Sequence, residues 1–302
     1  MEIDLTILGN SSASPTRDRN QSGQYLKMGK CHILIDCGEG TQSRLLKYGL
    51  SYQRIDIILI SHLHGDHYLG MFGLLNTMSL NGRKNDLIIC APKELKELIE
   101  LHFAISNSRL TFNIQYIDLG ADETFLENEK IQIQSFAVKH RIPCFAFLIN
   151  ELNVRRKLNI DVCEKLQIHQ KYFNKLKDGE DLILENGTII KNERVTFDPE
   201  PAFSYGYVTD TLFLEELCSN FLGVQVLYHE ATFLDNLIDR AKMAYHSTAA
   251  QAGRFALKAF VSQLVIGHFS SRYTDLNDHL EEARSVFPNT ELAIEGKCFQ
   301  FK

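Results

Sequence analysis

The chain has 302 residues, 44% hydrophobic and 23% charged, with a net charge of −6. That composition excludes a disordered chain and leaves room for one large α/β domain or two small ones around a sizeable core. The acidic balance argues against a non-specific nucleic-acid binder, which is usually basic, although partners feel local patches rather than totals.

Along the chain, Glu2–Gly9 alternates polar and apolar residues and predicts a half-buried strand. Tyr25–Met28 and Cys31–Asp36 flank Gly29-Lys30 and predict a hairpin. Ile55–Ile60 is a short apolar run that predicts a buried strand, and Asp86–Cys90 predicts another. Pro92–Ile105 predicts a helix with proline near its start. Strands are expected at Lys130–Val138, Phe145–Leu152, Ser204–Val208, Val224–Tyr228, Gln263–Ile266 and Glu291–Ile294. Thr248 and Gln251 have capping-box spacing ahead of a helix that runs to Phe260. Strands mixed with helices at this length indicate α/β or α+β, with two sheets.

Residues 151–200 differ from the rest. They lack a clear apolar period, and Glu151–Gly179 carries seven Lys/Arg against four acids. This stretch is expected to be an insertion into a single domain spanning 1–302. The seven cysteines form no Cys-x-x-Cys pair, so buried free thiols are expected rather than a disulfide framework or a thiolate zinc site. No apolar run reaches membrane-spanning length. The start, MEIDLTILGN, is not the basic-then-apolar pattern of a signal peptide, and a cytoplasmic location is expected.

Ligand-type side chains recur just after expected strands: His62, His64, Asp66 and His67, then His140, Asp210, His229 with Glu230, and His268. Ligand sites of α/β sheets gather at strand ends. In an extended segment His62 and His64 point the same way, and Gly65 permits a turn that aims Asp66 and His67 back at the same point. Four such groups after an apolar strand need charge compensation, and imidazole with carboxylate suits zinc, manganese or iron. His32, His102, His169 and His279 are read as ordinary surface or core histidines.

His-x-His-x-Asp-His after a strand resembles the metallo-β-lactamase superfamily, and the finer resemblance is to the ribonuclease Z family, endonucleases that cut the 3′ trailer from precursor tRNA. It rests on Leu34–Gln42, Ser61–His67, His140, Thr209-Asp210-Thr211, His229-Glu-Ala-Thr-Phe233, His246-Ser-Thr248 and His268-Phe-Ser-Ser-Arg-Tyr273. The resemblance implies an αββα sandwich of two mixed sheets with external helices and an inserted arm. It implies two zinc ions, one held by His62, His64 and His140, the other by Asp66, His67 and His268, with Asp210 bridging. Manganese or iron would suit the same ligands. Asp36 would orient ligands from behind. Asp66 would take a proton from the attacking water, and His246, aligned by Glu230, would protonate the leaving oxygen.

The resemblance also implies substrate contacts from Arg17, Arg19 and Asn20 in the Ser14–Asn20 loop, and from Arg272. Lysine is commoner in the family where Arg17 stands. The basic insertion corresponds to the family's tRNA-gripping arm, but the usual Gly-Pro-rich motif is absent and Leu166–Gly179 stands there instead. A homodimer follows from the same resemblance. Two other readings remain at this point: a superfamily hydrolase of small phosphodiesters or related esters, and a non-catalytic RNA-binding protein with a degenerate site.

Overall fold

The computed structural model describes residues 2–120, 123–184, 187–199 and 201–301. Two seven-stranded sheets carry the fold. In the first, neighbouring strands run Cys298–Phe301, Ile3–Gly9, Gly23–Met28, Cys31–Cys37, Ile57–Leu59, Leu87–Ala91 and Ile114–Asp118. In the second they run Thr290–Leu292, Gln263–Gly267, Val226–Glu230, Ser204–Val208, Phe145–Glu151, Ile131–Ala137 and Glu123–Glu127. The first sheet mixes an antiparallel half with parallel pairings from Cys31–Cys37 onward, and the second is parallel from Ser204–Val208 to Thr290–Leu292.

Alternation along the strands sorts side chains between two faces. Leu34, Ile58 and Ile89 pack with Leu45, Leu74, Leu75, Leu95 and Ile99 from helices outside the first sheet. Leu227, Leu264 and Ile266 pack with Ala252, Phe255 and Ala256 outside the second. Between the sheets, Tyr205 donates to Gln24 and Tyr207 donates to Asp36, so hydroxyls tie the inner faces together. The ring of Tyr207 stacks on Tyr228 with centroids 5.0 Å apart. Parallel strands covered on both faces read as continuous apolar runs, as Ile57–Leu59 and the Leu264-Val265-Ile266 centre of Gln263–Gly267 do.

Several boundaries differ from the sequence expectation. In Ile3–Gly9 every residue but Asp4 is buried, so the strand is not half-exposed. Its alternation is that of a strand sandwiched between helices and the second sheet, with threonine and glycine at polar positions. His229 and Glu230 are the last two residues of the strand Val226–Glu230 rather than the first after it. The helix Ala249–Lys258 has the expected box, with Thr248 and Gln251 each accepting from the other's backbone N–H. The helices Thr41–Lys47, Met71–Leu80, Ile238–Ala244 and Asn277–Val286 are additions.

Residues 127–132 and 150–203 form a compact unit of their own, wider than the expected insertion at 151–200. It has its own small core of Cys163, Ile168, Leu176, Leu182, Ile190 and Val195. Its helices are Ile160–Lys165, capped by Asn159, and Phe173–Lys177, and its strand pairs are Lys157–Leu158 with Thr196–Phe197 and Leu182–Ile183 with Ile189–Ile190. Asn192 clamps the unit by donating to the carbonyls of Leu176 and Glu180 at 2.7 and 2.9 Å. Elements of two to six residues are too short to print a period in the sequence, yet together they enclose a core. Among the described residues, no helix is long and apolar enough to cross a membrane.

Candidate metal centre

The ligand-type groups come from separate strand ends and meet at one edge of the sheets. Ile57–Leu59 leads into Ser61 and His62; His64 precedes the short helix Gly65–Tyr68, which carries Asp66 and His67. His140 lies between Ile131–Ala137 and Phe145–Glu151, Asp210 follows Ser204–Val208, and His268 follows Gln263–Gly267. Asp36, Asp210 and His268 adopt left-handed φ of 55°, 36° and 58°. Such conformations cost about 1–3 kcal/mol each outside glycine and persist where surrounding structure enforces them.

Two sets of atoms converge. In the first, His64 Nδ1 lies 3.1 Å from both His62 Nε2 and His140 Nε2, while Asp210 Oδ2 lies 3.6 and 3.8 Å from His62 and His140. In the second, His67 Nε2 and His268 Nε2 are 3.3 Å apart, Asp66 Oδ2 is 3.5 Å from each, and Asp210 Oδ1 is 3.4 and 3.1 Å from them. Four donors about 2.0–2.1 Å from a tetrahedral ion stand about 3.3 Å from one another. Both sets fit that spacing, and Asp210 offers one oxygen to each. The groups therefore suit two divalent cations sharing one carboxylate. His246 also lies near Asp210 and His268.

Four imidazoles are held from behind through their other nitrogen, the arrangement that fixes a ligating tautomer, His62 Nδ1 by Ser61 Oγ at 3.0 Å. His67 Nδ1 is 2.7 Å from Asp36 Oδ2, His140 Nδ1 is 3.1 Å from the Tyr245 carbonyl, and His268 Nδ1 is 3.0 Å from Thr232 Oγ1. Asp36 is fully buried and also accepts from the Ser61 N–H, the Ser61 hydroxyl and the Tyr207 hydroxyl. Asp66 Oδ2 accepts from the Ala13 N–H at 2.7 Å.

A second network adjoins the first. Glu230 is fully buried and lies 2.9 Å from His246 Nδ1. It also accepts from the Thr211 N–H at 2.8 Å and the Thr232 hydroxyl at 2.6 Å. Burial works against charge on Glu230, but His246 holds its carboxyl below the ordinary range. Burial would likewise lower the His246 pKa, yet Glu230, then Asp210 and Asp66, raise it to about 9. A charged imidazole thus stands beside both metal sets. The ligand groups open onto a cavity of about 500 Å³ lined by Ser12, Ala13, Gln21, His64, Asp66 and His246 among others.

The remaining expected residues are placed differently. His229 faces the helix side: its Nδ1 meets the backbone carbonyl of Glu230 and its ring lies 5.0 Å from Phe255. Consecutive strand residues point to opposite faces, so Glu230 and His229 cannot share the site. Arg19 and Asn20, expected to contact substrate, are half-buried and use side-chain donors within the protein. Arg19 Nη2 donates to the carbonyls of Ser270 and Tyr273, and Asn20 donates to the Glu295 carboxylate. Arg17 in the same loop is exposed. Arg272 is exposed, with its guanidinium over the Phe233 ring at 5.0 Å and Nε donating to Ser270 Oγ.

Tyr207 is a site residue that sequence reasoning passed over, and Ser61, Thr211 and Thr232 stood inside the quoted motifs without an assigned role. Thr232 offered one signal: it lies two residues from Glu230, inside the motif that carries the resemblance.

Residues 3–193 match the family model described as Anti-Pycsar protein Apyc1. A Bacteroides fragilis protein described as ribonuclease Z is 39% identical over 299 residues, 98% of either chain. The solved structure of the short form of human tRNase Z is 26% identical with a TM-score of 0.71, covering 98% of both chains. The metallo-β-lactamase fold protein YhfI from Bacillus subtilis is 18% identical with a TM-score of 0.72 over 99% of both. The chain has that fold, as its two mixed sheets with outer helices lead one to expect.

Thr232 should matter to metal binding without touching metal. Thr232→Val keeps the shape but removes the hydroxyl that holds His268 and Glu230. A chelator-competition titration should show metal affinity reduced about 10- to 100-fold; unchanged affinity would refute this role.

Proposed function

This chain belongs to the ribonuclease Z family, and on that premise we propose that it is a metal-dependent endoribonuclease removing the 3′ trailer of precursor tRNA. The products are a tRNA with a 3′-OH and a trailer with a 5′-phosphate. The observation that carries this reading is the Asp210 carboxylate, central to two four-ligand sets beside the His246–Glu230 pair. Two divalent ions, zinc by ligand type with manganese or iron as substitutes, supply the Lewis-acid charge that activates the attacking water and offsets charge on the phosphoryl oxygens.

The protein's own groups divide the remaining work. His62, His64, His140, Asp66, His67, His268 and Asp210 are the ligands, oriented by Asp36 and Thr232. Asp66 stands at the cavity wall, where it orients the water and accepts its proton. His246, charged at neutral pH, donates to the leaving 3′ oxygen, and Glu230 holds the ring aligned for that transfer. Arg17 and Arg272 are exposed cations for RNA phosphates.

The unit of residues 127–132 and 150–203 is proposed to bind the tRNA body. Arg155, Arg156 and Lys175 are ion-paired to Asp178, Asp198 and Glu180. Lys165, Lys171 and Lys177 are among the cations of this unit without a carboxylate partner in the described residues, and these three are proposed to meet phosphates. A homodimer and a cytoplasmic location belong to the same proposal and rest on family membership.

The decisive experiment incubates purified, zinc-loaded protein with precursor tRNA bearing a 3′ trailer. A cut next to the discriminator nucleotide is expected. No cut there, alongside turnover of bis(p-nitrophenyl) phosphate, would make the protein a small-diester hydrolase.

The pH profile tests the proton donor. His246 acts when protonated, so cleavage is lost as pH rises through its pKa. Glu230→Gln removes the leading cause that raises that pKa. The basic limb of the single-turnover rate should therefore move to lower pH by about one to three units; an unmoved limb would rule out His246 as donor.

Charge reversal tests the arm. Changing Lys165, Lys171 and Lys177 to Glu should weaken tRNA binding and flatten the plot of log affinity against log salt, by about 0.9 for each duplex phosphate left without its lysine. An unchanged slope would mean that these lysines are merely solvated.

A further inference from the structure

A second cavity, of about 600 Å³, lies along the helix Ile238–Ala244. Arg141 and Ala244 line it and also line the metal-centre cavity, so the two spaces are neighbours on either side of that shared wall. The groove combines two guanidinium groups, Arg141 and Arg240, with the amide of Asn236, the apolar side chains of Leu237 and Met243, and one acid, Asp239. Met243 is 72% exposed, an apolar surface left in water beside a reactive site.

Arg141 is tied to the site by its position in the chain. It directly follows His140, whose Nδ1 meets the Tyr245 carbonyl at 3.1 Å, while Arg141 Nη2 donates to the Met243 carbonyl at 3.4 Å. Both contacts fall on the carbonyl-rich C-terminal end of the helix, which Tyr245 closes in the left-handed region at φ 61°. Capping that end explains one long hydrogen bond. It does not explain why an exposed guanidinium with five donors has no carboxylate within ion-pair distance among the described residues. A planar cation with free donors, next to an apolar floor and a single amide, is the chemistry that receives a nucleotide: phosphate on the guanidinium, base on the apolar side chains.

We infer that this groove is the subsite for the last nucleotide of the product tRNA, the one that keeps the 3′ oxygen, with Arg141 on the phosphate at its 5′ side. The inference rests on the tRNA reading above. His246 decides which nucleotide occupies the groove. It gives its proton to the leaving 3′ oxygen, stands two residues beyond Ala244, and has its ring 5.3 Å from that of His140. The ribose bearing that oxygen therefore lies against the Arg141–Ala244 wall, and its base turns into the adjoining groove. Leu237 and Met243 offer the base an apolar surface.

The test uses zinc-loaded protein and precursor tRNA with a single neutral methylphosphonate at the linkage 5′ of the last tRNA nucleotide. For wild type, this replacement should lower kcat/KM about tenfold, the worth of one charge-assisted hydrogen bond. Arg141→Ala should lose about tenfold on the natural precursor and nothing further on the methylphosphonate, and Arg141→Lys should recover part of the loss on the natural precursor only. Additive losses in Arg141→Ala, or wild-type cleavage by that variant, would overturn the assignment. Wild-type protein that leaves the unmodified precursor uncut would overturn the tRNA reading itself, and this subsite with it.

Discussion

The structure depends on one electrostatic constraint: two buried carboxylates and five imidazoles aim their ligand atoms at two points a few ångströms apart. Asp210 is the hinge of the arrangement, with one oxygen 3.1 Å from His268 and the other 3.6 Å from His62. Without cations, converging imidazole lone pairs would repel, and the carboxylates would bear a desolvation cost met only by neighbouring protonated rings. Divalent ions resolve both difficulties at once. The left-handed backbone at Asp36, Asp210 and His268 follows from the same demand. Each strand must turn abruptly at its end to bring a side chain back over the sheet edge.

The supporting hydrogen bonds join the ligand sets and the Glu230–His246 pair in one network. The Thr232 hydroxyl can give its proton to the Glu230 carboxylate while accepting from His268 Nδ1. Glu230 in turn holds His246. The Thr232 hydroxyl thus links His268 of the second ligand set to the Glu230–His246 pair. Asp36 plays the matching part on the other side, gathering Ser61, Tyr207 and His67 onto one carboxylate. Because Tyr207 comes from the second sheet and Asp36 from the first, the ligand His67 is also braced by the packing of the two sheets.

What could be read in the sequence follows from how local each feature is. His62, His64, Asp66 and His67 are adjacent in the chain, so their convergence was legible from strand periodicity and one glycine. His140, Asp210 and His268 were legible only as polar residues after apolar strands; their meeting is a product of tertiary structure, and family resemblance did the rest. Tyr207 and Asp36 are separated by 171 positions, and a tyrosine inside an apolar strand reads as core until its hydroxyl is seen to have a partner. Alternation within the strand separates His229 from Glu230, but that rule applies only once the strand is known to continue to Glu230. The small unit of residues 127–132 and 150–203 was hidden for a different reason: its elements are too short to repeat a period of either regular structure, so its core was invisible to periodicity.

The same reasoning separates the chemistry of the centre from the choice of substrate. The seven ligand groups would serve a hydrolase of any phosphodiester, whereas the proposed roles of His246 and Glu230 concern the leaving oxygen. Leaving-group protonation matters most when the departing oxygen is a poor leaving group, as a ribose 3′ oxygen is and an activated phenolate is not. The buried Glu230, which favours the charged form of His246, is therefore suited to an unactivated RNA linkage. A site built for activated esters would gain little from burying a carboxylate there, and that buried carboxylate is the feature of the core that speaks most directly for RNA as the substrate.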